Sequence, residues 1–176
     1  MDKHPSTTSP KEKFTRLLQE HIRIIYKIVH SYCKAEADRK DLEQEIVLQL
    51  WKSFGSYNSQ YKFSTWLYRV ALNTAISFYR KERVRNEHYT ETDYVSIINV
   101  AEEEVIPSEK EQQLKLLQQF INELSDLNKA IMLLHLEERS HQEIAAIIGI
   151  SKSNVGTKIN RIKTKLKAKF IKHQKS

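Results

Sequence analysis

Only three glycines and three prolines punctuate 176 residues, so this chain has few places to turn sharply. Glycine supplies the positive-φ conformations of tight turns, and proline halts a helix. Their scarcity argues against a turn-rich β fold and for long helices with few breaks. Apolar spacing agrees. Phe14, Leu17, Leu18, His21, Ile24, Ile25, Ile28 and Val29 recur at helical intervals. A second run passes through Leu42, Ile46, Leu50 and Trp51 towards Phe54, with Asp41 predicted as its N-cap and Gln44 three residues on. Gly55 to Gln60 is a turn by composition. Ser64 or Thr65 is then expected to cap a third helix through Leu67, Val70, Ala71, Ala75 and Phe78, which becomes basic at Arg80, Lys81, Arg83 and Arg85.

Charge divides the chain. Asn86 to Glu109 holds seven acids and no Lys or Arg, which leaves 15 acids to face all 29 basic residues elsewhere. The stretch has no sustained helical period before Leu114, and Pro107 interrupts it, so it reads as a linker between two basic bodies. The predicted architecture is therefore all-α: two small helical domains, 11–85 and 111–172, joined by an acidic flexible linker, 86–110. A formal net charge of +7 fits an anionic partner, either nucleic acid or a membrane surface, and fits equally a merely soluble basic protein.

Several functional classes find little support. The lone Cys33 cannot form an internal disulfide and sits among apolar and aromatic residues as a packing residue. No apolar run reaches the roughly 20 residues that span a bilayer, and the polar N-terminus is unlike a signal peptide, so a cytoplasmic protein without membrane insertion is expected. There is no phosphate-binding glycine loop, and the seven histidines show neither HExxH nor Cys/His metal spacing. No catalytic residue, metal, cofactor or small-molecule substrate is expected.

The second body carries a more specific signal. After a helix through Leu114, Leu117, Ile121 and Leu124, Ser125 is expected to cap another with Ile131, Leu133, Leu134 and Leu136. Ser140-His-Gln-Glu143 then has the capping-box pattern and opens a short helix that Gly149 stops. Ser151 caps a final helix with Val155, Ile159, Ile162 and Leu166 on one side. A short helix, a glycine turn and a longer helix make a helix-turn-helix. No acid follows Glu143, whereas nine Lys or Arg do. Lys152, Ser153, Thr157, Lys158, Asn160 and Arg161 are the candidate DNA contacts: cations can neutralise phosphates, and Asn and Arg can pair with adenine and guanine edges. In the first body, aromatic residues interleave with basic ones, and Tyr57, Tyr61 and Lys62 in the turn are candidates for stacking on unpaired bases.

Two segments carry a family resemblance. Asp41-Leu-Glu-Gln-Glu-Ile-Val-Leu-Gln-Leu-Trp51, followed by Phe63-Ser-Thr-Trp-Leu-Tyr-Arg-Val-Ala-Leu-Asn-Thr-Ala75, resembles the second conserved region of bacterial sigma factors. Ser140 to Val155 resembles their fourth region, and the short chain with a linker in place of a third domain is similar to the extracytoplasmic-function group. The resemblance implies a promoter-recognition subunit, not an enzyme, whose partners are core RNA polymerase, promoter DNA (duplex and melted) and an anti-sigma factor. It assigns Asp41, Gln44 and Glu45 to polymerase docking. It places Tyr57, Tyr61, Lys62, Phe63, Asn73 and Arg80 at the −10 single strand, where stacking and edge hydrogen bonds offset the cost of extruding a base. The last helix is the implied −35 reader, with a departure: Gly156, Thr157, Asn160 and Lys163 stand where relatives have a more basic, arginine-rich face. The competing reading is an autonomous helix-turn-helix regulator that binds duplex DNA as a dimer, which leaves the Asp41 helix and the aromatic turn unexplained.

Overall fold

The computed structural model describes residues 9–87 and 108–174, and all its regular elements there are helical. The 88–107 portion of the expected linker lies outside the described residues. The chain divides after Arg85 into two compact units.

Unit 1 opens with α1, Pro10–Tyr32. Ser9 caps it: its hydroxyl accepts from the Glu12 amide, while the Glu12 carboxylate accepts from the Ser9 amide at 2.9 Å. Proline at the first helical position costs nothing, because its missing N–H has no partner there anyway. Helix α2 is Glu36–Ser53, so it starts a turn and a half before the expected cap. Asp41 lies inside the helix, and Ala35 occupies the N-cap without a side-chain bond. Two features favour the earlier start. Glu36 and Asp38 place negative charge at the positive end of the helix. Arg39 Nε donates to the Cys33 carbonyl at 3.0 Å and ties the short α1–α2 connection. The chain then makes one 3₁₀ turn, Phe54–Ser56, and a loop leads to α3, Phe63–Glu87. This helix begins at Phe63, ahead of the expected Ser64 or Thr65 cap, with the Lys62 carbonyl accepting from the Thr65 amide. Ile25, Leu42, Ile46, Leu50, Leu67, Ala71 and Ala75 are wholly buried at the junction of the three helices. Each large aliphatic among them contributes roughly 1.5–3 kcal/mol from burial.

Unit 2 opens with α4, Glu109–Asn122, five residues before Leu114, because Ser108 and Glu111 form a second capping box. Helix α5, Asp126–Leu136, does begin after Ser125, although that side chain makes no cap bond. Helix α6, His141–Ile148, has the expected box between Ser140 and Glu143. Gly149 ends it at φ 81°, the left-handed conformation that glycine adopts cheaply. Helix α7, Lys152–Gln174, starts with the Asn154 amide donating to Ser151 Oγ. Val155, Ile159, Ile162 and Leu166 are buried as expected. They close a core with Ile131, Leu134, Ile144 and Ile147. Beyond Leu166, Phe170 packs edge-on against Phe120 at 5.1 Å and Lys169 pairs with Glu123, so the far end of α7 is anchored on α4.

Candidate nucleic-acid interface

Six aromatic rings of unit 1 form one continuous cluster. Phe14 meets Trp51 and Phe54 edge-on, each at 5.1 Å. Tyr57 stacks on Phe54 at 6.1 Å and touches Phe63 and Trp66, both at 5.3 Å. The cluster holds the loop in place from beneath. The loop is also tied internally: Tyr57 Oη donates to the Tyr61 carbonyl at 2.8 Å, and Asn58 Oδ1 accepts from the Gln60 amide at 3.0 Å. Tyr61 emerges from this frame 69 % exposed, beside exposed Lys62. Phe63 does not. At 5 % exposure, its ring packs against His21, Tyr57 and Trp66, so it supports the loop and offers no face for stacking. Tyr57 is half-buried. On α3, exposed Arg69, Asn73 and Arg80 recur at four and seven residues and share one solvent face.

Asp41, Gln44, Glu45 and Leu48 form an i, i+3, i+4, i+7 stripe on α2. Asp41 and Gln44 are exposed, and Glu45 is half-buried with an oxygen accepting from Gln49 at 2.8 Å. Sequence periodicity counted Trp51 with the core and did not single out Leu48. Both are 44 % exposed. They border an open groove of about 810 Å³ between α1 and α2, lined also by Phe14, Val47, Lys11 and Lys40. This combination of apolar floor and polar rim is the surface that the sequence reading missed.

In unit 2, Lys152, Ser153, Thr157, Asn160 and Arg161 are exposed along α7, and Lys158 is half-buried. Thr157 and Asn160 lie nearly opposite the buried Val155–Leu166 seam. Lys158, Arg161 and Lys165 line one flank, where a small cleft against Leu124 and Asn128 measures about 180 Å³. The other flank carries Gly156. A Cβ placed there would meet the His141 ring at 3.6 Å, an ordinary contact, so neither space nor backbone conformation requires glycine. Gly156→Ala is expected to stabilise unit 2 by about 0.5–1 kcal/mol through helix propensity, measured by urea unfolding. His135, at the end of α5, is held below the usual histidine pKa of 6.5, first by burial and then by the charges of Lys163 and His141. Its neutral form is favoured in the folded chain. As pH falls through 6.5 the unfolded chain takes up a proton that the folded one resists, so this group lowers stability on acidification.

Among the described residues, no three His, Cys, Asp or Glu side chains converge on a metal-sized site, and no helix is long and apolar enough to cross a membrane.

Comparison with known proteins covers both units. Residues 17–85 match the family model "Sigma-70 region 2" and residues 114–166 match "Sigma-70, region 4". The chain is 27 % identical to the RNA polymerase sigma factor YlaC of Bacillus subtilis over 172 residues, 93 % of each chain. It is 26 % identical to the ECF RNA polymerase sigma-E factor of Haemophilus influenzae, covering 91 % of this chain and 88 % of that one. Among solved structures, the sigma factor RpoE in complex with the anti-sigma factor NepR from Bartonella quintana shares the fold. The TM-score is 0.63 at 20 % identity, over 89 % of this chain and 96 % of that one. A stand-alone regulator accounts for neither the region 2 match nor the order of the two regions. With both regions present in sequence, and relatives of the same length named as ECF factors, the chain belongs to the sigma-70 family, in its extracytoplasmic-function group.

Proposed function

We infer that this sigma factor directs promoter-specific initiation by docking on core RNA polymerase through unit 1 and reading DNA with both units. The observation that carries this reading is the succession of surfaces. An acidic and apolar stripe on α2 comes first, then an aromatic loop with a polar α3 face, then a cationic helix-turn-helix.

Each surface suits one task. The Asp41–Gln44–Glu45 stripe sets hydrogen-bonding groups beside the apolar groove of Phe14, Val47, Leu48 and Trp51, a pairing common in protein interfaces. Tyr61 and Lys62, held out by the tied loop, suit an unpaired base and its phosphate, with Asn73 and Arg80 following the strand along α3. Thr157, Asn160 and Arg161 can reach base edges in a major groove, while Lys152, Ser153 and Lys158 meet phosphates. The polymerase supplies the bond-making chemistry, and the site of action is the cytoplasm. An anti-sigma partner is expected as well, as the related RpoE is solved in complex with the anti-sigma factor NepR.

The test separates the two units. Gln44→Ala with Glu45→Ala is expected to weaken binding to core polymerase by about tenfold, roughly 1.4 kcal/mol. Arg161→Ala is expected to leave that affinity unchanged and to impair promoter choice in reconstituted transcription, by about 1–3 kcal/mol of base discrimination. Equal loss of polymerase binding in both variants contradicts the assignment.

A further inference from the structure

The flank of α7 that meets α5 carries charge that nothing answers. Lys158, Arg161 and Lys165, together with Asn128 of α5, rim the cleft of about 180 Å³, and its other two lining residues, Leu124 and Ile162, are buried and apolar. No acid lines it. Other cations of unit 2 have carboxylates beside them, as Arg139 has Glu143 and Lys169 has Glu123. Among the described residues, the side chains of Lys158, Arg161 and Lys165 make no ion pair, and the Asn128 amide has no hydrogen-bond partner. Like charges around one small cleft repel, and Lys158 is half-buried, so water screens that repulsion less well. An anion in the cleft would relieve it.

Position selects the anion. At 3.6 residues per turn, Thr157 and Asn160 lie opposite the buried seam, whereas Lys158 and Lys165 lie roughly a quarter turn round from them. A helix about 10–12 Å across, seated in a major groove about 12 Å wide, has a wall of phosphates along each flank. We propose that this cleft clamps one backbone phosphate of the duplex, between Lys158 and Lys165 of α7 and the side-chain amide of Asn128 on α5. This rests on the reading of unit 2 as a duplex-DNA binder and adds Asn128 and Lys165 to it. Arg161 is the nearest of the three cations to the outward face, which leaves its guanidinium for a base edge. Phosphate contacts fix orientation without reading sequence. A grip from two helices sets the angle and depth of α7 in the groove, which contacts from α7 alone leave free to roll.

Because such a contact ignores sequence, a short random duplex is a sufficient probe. Its affinity for the full chain is measured by fluorescence anisotropy across a salt series, with circular dichroism to show that each variant keeps its helix content. Lys158→Ala with Lys165→Ala is expected to lower the slope of log K against log salt by about 0.9, the counterion release of one phosphate. Asn128→Ala removes an uncharged donor, so it is expected to weaken binding about three- to tenfold at fixed salt and to leave the slope unchanged. Added to the lysine pair, Asn128→Ala is expected to cost little more, since all three side chains act on the same phosphate. An unchanged slope in the lysine pair, a fall near 1.8 (two separate phosphates), or fully additive losses overturn the clamp alone. Weakened binding to core polymerase in the lysine pair, with duplex binding intact, assigns the cleft to an acidic protein surface and overturns the clamp as well. Failure of the unaltered chain to bind the duplex at low salt overturns the DNA-binding reading of unit 2, and the clamp with it.

Discussion

Val155→Asp is expected to abolish duplex-DNA binding while leaving association with core polymerase intact. Val155 is wholly buried where α7 meets α6, one turn after the Ser151 cap. An unpaired carboxylate there costs about 4 kcal/mol or more, and a unit of this size has little stability beyond that to lose. The helix-turn-helix should melt as a whole, since Ile144, Ile147, Ile159 and Ile162 close on the same core. Unit 1 has its own core of Leu42, Ile46, Leu50 and Leu67, so its fold and its α2 surface should survive. Circular dichroism should show partial loss of helix, and a pull-down with core polymerase should be unaffected. Loss of polymerase binding together with DNA binding would mean that the docking surface is not confined to unit 1.

The complementary variant is Leu48→Asp. Leu48 is 44 % exposed and ends the Asp41–Gln44–Glu45 stripe, where it borders the apolar groove with Trp51. A charge in the middle of an interface core removes a contact that only the complex desolvates. The expected loss is about 2 kcal/mol of affinity for core polymerase, roughly 30-fold in Kd. Because half of the side chain already meets water, chain stability should change by no more than about 1 kcal/mol. Titration of core polymerase, compared with urea unfolding of the free chain, distinguishes the two effects. Similar losses in both measurements would reassign Leu48 to the core.

Helix content and the helix-turn-helix were legible because their signals are local. The Ser140–Glu143 box, Gly149 and the Val155–Leu166 seam each depend on residues within a turn or two. Misreadings arose where tertiary context decided. Asp41 is a good cap by type, yet the helix runs on to Glu36 because the Arg39–Cys33 tie fixes the chain ahead of it. Ser108–Glu111 is as good a box as the later one and was overlooked because the apolar period seemed to begin only at Leu114. Phe63 and Tyr61 have the same aromatic character in sequence, and only packing separates the buried ring from the exposed one. Trp51 reads as a core residue and Leu48 is not singled out, since periodicity gives a helix face but not what covers it.

The capping boxes at Ser9, Ser108 and Ser140 bear on how the chain acquires its shape. Each fixes a helix start with four consecutive residues, and the helices that pack together lie within one unit, most of them one or two elements apart. Such topology has low contact order and folds in microseconds to milliseconds. Synthesis proceeds at about 5–20 residues per second, so the 91 residues of the second unit take roughly 5–20 s to follow the first. Unit 1 therefore has ample time to complete its core on the ribosome, and the surface proposed to meet polymerase is in place before the helix proposed to read DNA has been made.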